Sequence, residues 1–326
     1  MQRWRKPLIV LIALLGFGAL RMPFEAGLSR ELREAKLLPE KVSIDTRDRI
    51  GQTGSAVALG GLRTLVATFL NLRAFTFYTR DNWTKVAETF DVIVDLAPKT
   101  VYYWDSGAWN QYGNAASYYL NRSNLPGLRR REAWRQSIQR GRQFLERGIR
   151  NNPDSADLNA SLGTLLMSPF KVQAFPSRSQ TFLDAADAYQ RAIDTGRAKG
   201  FTRRSYVYAL SRVPGKEGET LAKIRELYDE SPKNRAPTLV ILMFVLEAHQ
   251  NPSMDLTKRA LELFGTPERA YESLSIHWTR TSEGYPVYGI AETLQSLEKI
   301  LKIPAEESVF KKTPPPAWNA ERYFTD

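Results

Sequence analysis

The sequence predicts an all-α protein: an irregular α-solenoid of about five or six antiparallel helix pairs behind an apolar N-terminal membrane helix. Three observations lead there. Apolar residues recur at helical spacing, as in the stripe Val287, Ile290, Ala291, Leu294, Leu297 and Leu301. No run alternates apolar and polar residues as a half-buried strand does. Prolines close several of the periodic segments, among them Pro98, Pro153 and Pro232, and a proline stops a helix that reaches it.

The bulk numbers agree. The chain has 326 residues, enough for one large domain or two ordinary ones. Its 43% hydrophobic and 25% charged residues suit a folded, core-burying chain and exclude wholesale disorder. The net charge of +11 favours acidic partners or anionic lipid headgroups. There is no cysteine, which excludes disulfides, thiolate metal sites and cysteine nucleophiles. With only His249 and His277, a zinc site is not expected.

The elements follow in order. Residues 1–28 read as a signal anchor. Arg3, Arg5 and Lys6 precede an apolar run from Pro7 to Leu20, which extends to Leu28 if Arg21 snorkels to the headgroups. No small-x-small cleavage site follows Leu20, so the segment is expected to be retained. The basic N-terminus favours the cytoplasmic side. The expectation is a single-pass protein of a bacterial inner membrane, held through residues 7–28, with its body in the periplasm. Residues 29–61 form a charge-rich stalk leading into the first helix. The apolar stretch Ala56–Leu70 carries Arg63, Gly60 and Gly61, is too short and charged for a second span, and is expected to be the first buried helix of the body.

Residues 62–303 carry a recurring pattern. Val86, Phe90, Ile93 and Pro98 sit at one spacing, and Trp104 and Ala108 follow. Gly141, Leu145, Gly148 and Pro153 repeat it, followed by Leu162-Gly163. Ala185, Tyr189 and Ala192 match, as do Ile224, Leu227 and Pro232, and Ala260 with Phe264. Small residues at these places let paired helices approach, while large ones fill the grooves between them. The pattern resembles the tetratricopeptide-like family over about residues 62–265, without most of that family's tyrosines and with unequal repeat lengths that imply insertions near 120–132 and 167–180. The resemblance implies a right-handed solenoid whose concave face binds peptides or proteins. Residues 267–302 add a capping helix pair. Residues 304–326 form an extended tail with Pro314-Pro315-Pro316, ending in Trp318, Tyr323 and Phe324.

No constellation for chemistry is evident. There is no Gly-x-Ser-x-Gly elbow, and neither histidine lies in a motif; both are expected to be structural. Gly215-Lys216-Glu217-Gly218 lacks the spacing of a phosphate-binding loop. Glu272-Ser273 and Glu307-Ser308 have the dipeptide type of lytic transglycosylases, but no glycine-rich, methionine-bearing stretch follows either. No catalytic residue, metal or cofactor is therefore expected. Partner contact is expected from two places. One is the basic segment that opens with Arg129, Arg130, Arg131 and Arg135; the other is the aromatic stretch with Trp104, Trp109 and Tyr112. The function expected is a non-enzymatic scaffold or assembly factor for protein partners of a membrane or envelope complex, with anionic lipid as a further contact and nucleic acid an unlikely one. The alternatives are a cell-wall glycan enzyme, with Glu272 or Glu307 as its acid, and a soluble cytoplasmic adaptor.

Overall fold

The computed structural model describes residues 46–281, 284–311 and 324. The chain divides into two units, Met1–Leu62 and Arg63–Asp326. The anchor expected at residues 1–28 and the first part of the stalk lie outside the described residues. No helix among the described residues is long and apolar enough to cross a membrane.

All regular structure among the described residues is helical. Helix α1 runs Thr46–Tyr78, and its residues from Arg63 onward belong to the second unit. There follow α2 (Trp83–Leu96), α3 (Val101–Trp109), a π-helical turn (Asn110–Ala115) and α4 (Ala116–Asn121), which continue one rod; then α5 (Gly127–Asn151), α6 (Ala156–Met167), α7 (Arg178–Asp194), α8 (Gly200–Leu210), α9 (Glu217–Glu230), α10 (Pro237–Gln250), α11 (Leu256–Phe264), α12 (Pro267–Ile276) and α13 (Ile290–Ile300). Neighbours in sequence pack as pairs, α6 on α7 and α7 on α8 most extensively. Short connections such as 97–100 and 152–155 return the chain alongside the helix just left.

The helix starts are written locally. Asn82, Ser155, Ser177, Asp255 and Thr266 each accept a backbone N–H of the first turn, and Pro237 and Pro267 occupy first helical positions. Most of the repeat positions are core positions, while Phe264 and Pro98 are only partly buried and Pro153 and Pro232 are exposed. Val86, Phe90, Ile93, Leu145, Ala185, Tyr189, Ile224, Leu227 and Ala260 are all buried. Close approach depends on glycine at two reciprocal points. A Cβ on Gly148 would lie 2.9 Å from the Trp104 side chain, and one on Gly107 would lie 2.5 Å from Phe144. Each helix of the pair thus supplies a gap for the other's ring. Trp104 is held further by its indole N–H, which donates to the Pro98 carbonyl at 2.8 Å; the Asn152 amide donates to the same oxygen at 2.9 Å.

The core is divided along the array. One cluster spans α1 to α8, a small separate one holds Val172, Phe182 and Val213, another joins α8, α9 and α10 through Val207, Leu221 and Leu239, and the last gathers Phe244, Leu274, Leu294 and Val309. Ile290, Leu294 and Leu297, from the stripe read as helical, are fully buried there. Glu247 is a buried carboxylate between the last two clusters. It accepts from Arg225 of α9 at 3.0 Å and Arg259 of α11 at 2.8 Å, so it is paired on both sides.

Two expectations need correction. Ala56–Leu70 is helical, but the part whose side chains are described is not buried: Ala67 and Ala74 face the core while Leu65, Val66, Phe69, Leu72 and Phe75 are exposed. Among the described residues no earlier helix covers this face. Finally, the tail does more than extend. Phe324 is buried against Trp134 of α5, with ring centroids 5.7 Å apart.

Candidate partner-binding groove

Two grooves open beside α3. The first, of about 590 Å³, has Leu72, Phe75 and Tyr78 of α1 on one wall, Val86 and Phe90 of α2 below, and Tyr102, Asp105, Ser106, Trp109 and Asn110 on the other wall. The second, of about 420 Å³, lies between α3, α6 and α8, and is lined by Tyr102, Asp105, Tyr112, Ser161, Thr164, Lys199 and Phe201 among others. Tyr102 and Asp105 belong to both and form the ridge between them. The first groove is thus lined by α1, α2, α3 and the start of the π-helical turn, and the second by α3, that turn, α6 and α8.

The aromatic residues divide sharply. Trp104 is 2% exposed and is core. Tyr112 is buried, though its edge lines the second groove. Trp109 is 51% exposed, Tyr102 62% and Phe75 65%. The π-helical turn accounts for the difference between Trp109 and Tyr112. Gly113 sits inside that turn, and a Cβ there would meet the Trp109 indole at 3.0 Å, so glycine lets the ring lie flat against its own backbone. Trp109 and Tyr112 then meet edge to face with centroids 5.4 Å apart. Burial, with the Asp105 carboxylate nearby, pushes the Tyr112 phenol pKa up to about 12. The phenol stays neutral wherever a partner would meet it.

The basic helix α5 is occupied differently. Arg140 and Arg147 both reach Asp91 of α2, at 2.8 and 2.7 Å, and Arg142 bridges Glu146 and Asp184 at 2.7 and 2.9 Å. Arg147 also lies 5.5 Å above the Trp104 ring. These arginines bind helix to helix. Of the four singled out from sequence, Arg135 is exposed and pairs with Glu132 one turn away at 2.9 Å, Arg129 and Arg131 are exposed, and Arg130 is half-buried. None of the four lines either groove. The structure therefore separates the two expected contact regions.

His277 is buried, its Nε2 3.2 Å from the Pro286 carbonyl, and burial lowers its pKa; His249 stacks on Tyr288 with centroids 4.1 Å apart. His277 is thus packed inside, whereas His249 is exposed. Glu272 and Glu307 are exposed and line neither groove. Asp105, Phe75 and Phe201 were missed by sequence reading. Asp105 could have been found, since it shares a helix face with Tyr102 and Trp109 at three- and four-residue spacing. Phe75 and Phe201 could not, because they come from helices remote in sequence. No protein-family model matches this chain, and no curated protein matches it.

Proposed function

We propose that the chain is a non-enzymatic scaffold or assembly factor, anchored in a bacterial envelope membrane by its N-terminal apolar segment. Its grooved face holds an extended segment of a protein partner. The reading draws on the basic, apolar N-terminus, on the tetratricopeptide-like pattern and on the paired helices. One observation carries it. Phe75, Tyr102 and Trp109 stand exposed around an apolar groove, while their neighbours Trp104, Trp83 and Tyr103 are buried. Rigid aromatic side chains left open around a concavity are the residue type that dominates protein interfaces. The groove volume suits a few side chains of an extended segment.

The test is crosslinking in intact cells, with capture of the tagged full chain and mass spectrometry, comparing wild type with the Tyr102→Ala/Trp109→Ala double variant. The expected result is a short set of membrane or envelope proteins whose recovery drops several-fold in the double variant. Recovery that is unchanged there but lost on charge reversal at Arg129–Arg131 would move the contact to α5. Carbonate extraction tests the anchor: the protein should stay with the membranes.

A further inference from the structure

The grooves also carry information about what would enter them. This inference rests on the groove reading above and adds the chemistry of the occupant. Tyr102, Asp105 and Trp109 leave α3 on one side, so a carboxylate stands between two exposed aromatic rings. Phe75 faces them across the first groove and Phe201 lines the second. Among the described residues nothing donates a hydrogen bond to Asp105 and no cation pairs with it. The other carboxylate of this lining, Asp157, is paired with Lys199 at 3.0 Å. Carboxylates between helices elsewhere are engaged: Asp91 by Arg140 and Arg147, Asp184 by Arg142, Glu247 by Arg225 and Arg259. In a chain of net charge +11, the Asp105 carboxylate has been reached by no arginine of its own.

We infer that the grooves accept a cationic side chain, an arginine or lysine flanked by apolar residues, from an extended segment of a partner protein. The head group pairs with Asp105, and the stem lies between Tyr102 and Trp109. Aromatic faces attract a cation held within about 6 Å of the ring centre, more strongly as water leaves. The carboxylate supplies a charge-assisted hydrogen bond, bidentate for arginine. The protein uses the same combination internally, where Arg147 lies 5.5 Å over Trp104 while paired to Asp91. An acidic segment would be repelled by Asp105, and an uncharged one would bury that carboxylate with no cation to pair with it.

A phage-displayed library of random peptides, panned on the full chain in detergent micelles, tests this. Selected peptides are then titrated by fluorescence anisotropy against wild type, Asp105→Asn and Trp109→Ala. Circular dichroism confirms that each variant is folded. The expected outcome is enrichment of arginine or lysine beside apolar residues. Affinity should drop about tenfold in Asp105→Asn, and the wild-type affinity should weaken with added salt. Peptides that lose affinity in Trp109→Ala but not in Asp105→Asn, or that are acidic or uncharged, overturn the cation inference and leave the groove standing. Binding indifferent to both variants, or no enrichment over bare matrix, overturns both.

Discussion

At Gly107 there is room for a hydrogen atom and little else. A methyl group would sit 2.5 Å from one carbon of the Phe144 ring and 3.1 Å from Phe90, so the rings or the helices must move. Gly107→Ala should destabilise the protein by about 1–3 kcal/mol despite its better helix propensity, because overpacking outweighs the few tenths to one gained from propensity. Thermal unfolding followed by circular dichroism should show a melting point several degrees lower; an unchanged or higher one would mean that the interface yields freely. Gly113 works by the same steric rule to a different end, since its missing side chain holds a ring at the surface. The exposed Trp109 ring thus lies against a glycine four residues away.

Among the elements, α5 shows how a strongly charged sequence becomes an internal strut. Three of its arginines reach carboxylates on α2 and α7, and their aliphatic stems and guanidinium planes cover Trp104, Phe144 and Phe175. Helix α12 carries a pH-sensitive end. The buried His277 ring disfavours its own protonation, so the unfolded chain takes up the proton first as pH falls. The sign follows from linkage. The stability that this histidine gives by staying neutral is fully present above about pH 6.5 and is lost as pH drops below it. Unfolding at pH 7.5 and pH 5.5 should show acid destabilisation of wild type, and a smaller pH difference in His277→Asn. Equal slopes in the two proteins would remove His277 as the cause.

At the scale of the whole molecule, the described part of the tail ties late sequence to early structure. Phe324 joins the cluster formed by α1 to α8, although Lys311, the last described residue before it, belongs to the turn after α13. Its burial against Trp134 is worth about 1.5–3 kcal/mol as apolar transfer. Phe324→Ala should lower stability by about that amount and shift tryptophan emission to the red as Trp134 becomes wetter. A silent substitution would show that the contact contributes nothing. Division of the core into four clusters also makes stability local, since each helix meets mainly its neighbours. Damage at Gly107 should therefore leave the α12–α13 pair largely protected in hydrogen exchange.

Periodicity alone determined that the chain is helical, and it located most of the buried faces. Ile290, Leu294 and Leu297 of the stripe running from Val287 to Leu301, and the positions around Phe90, Leu145 and Tyr189, are core as their spacing required, because a helix places residues three and four apart on one side whatever it meets. The aromatic stretch was legible as important, and the five-residue step from Trp104 to Trp109 already turns them to different sides of α3, but the division into open Trp109 and buried Tyr112, three residues apart, was not. That division depends on a π-helical turn, which shifts the phase by one residue where no sequence rule marks it. Likewise the sequence showed many arginines in α5 without showing that Asp91 would hold two of them, or that Asp105 would receive none. Only the tertiary structure decided this. Spacing along a helix says which side chains share a face, whereas what covers that face depends on helices that are near in space and distant in sequence.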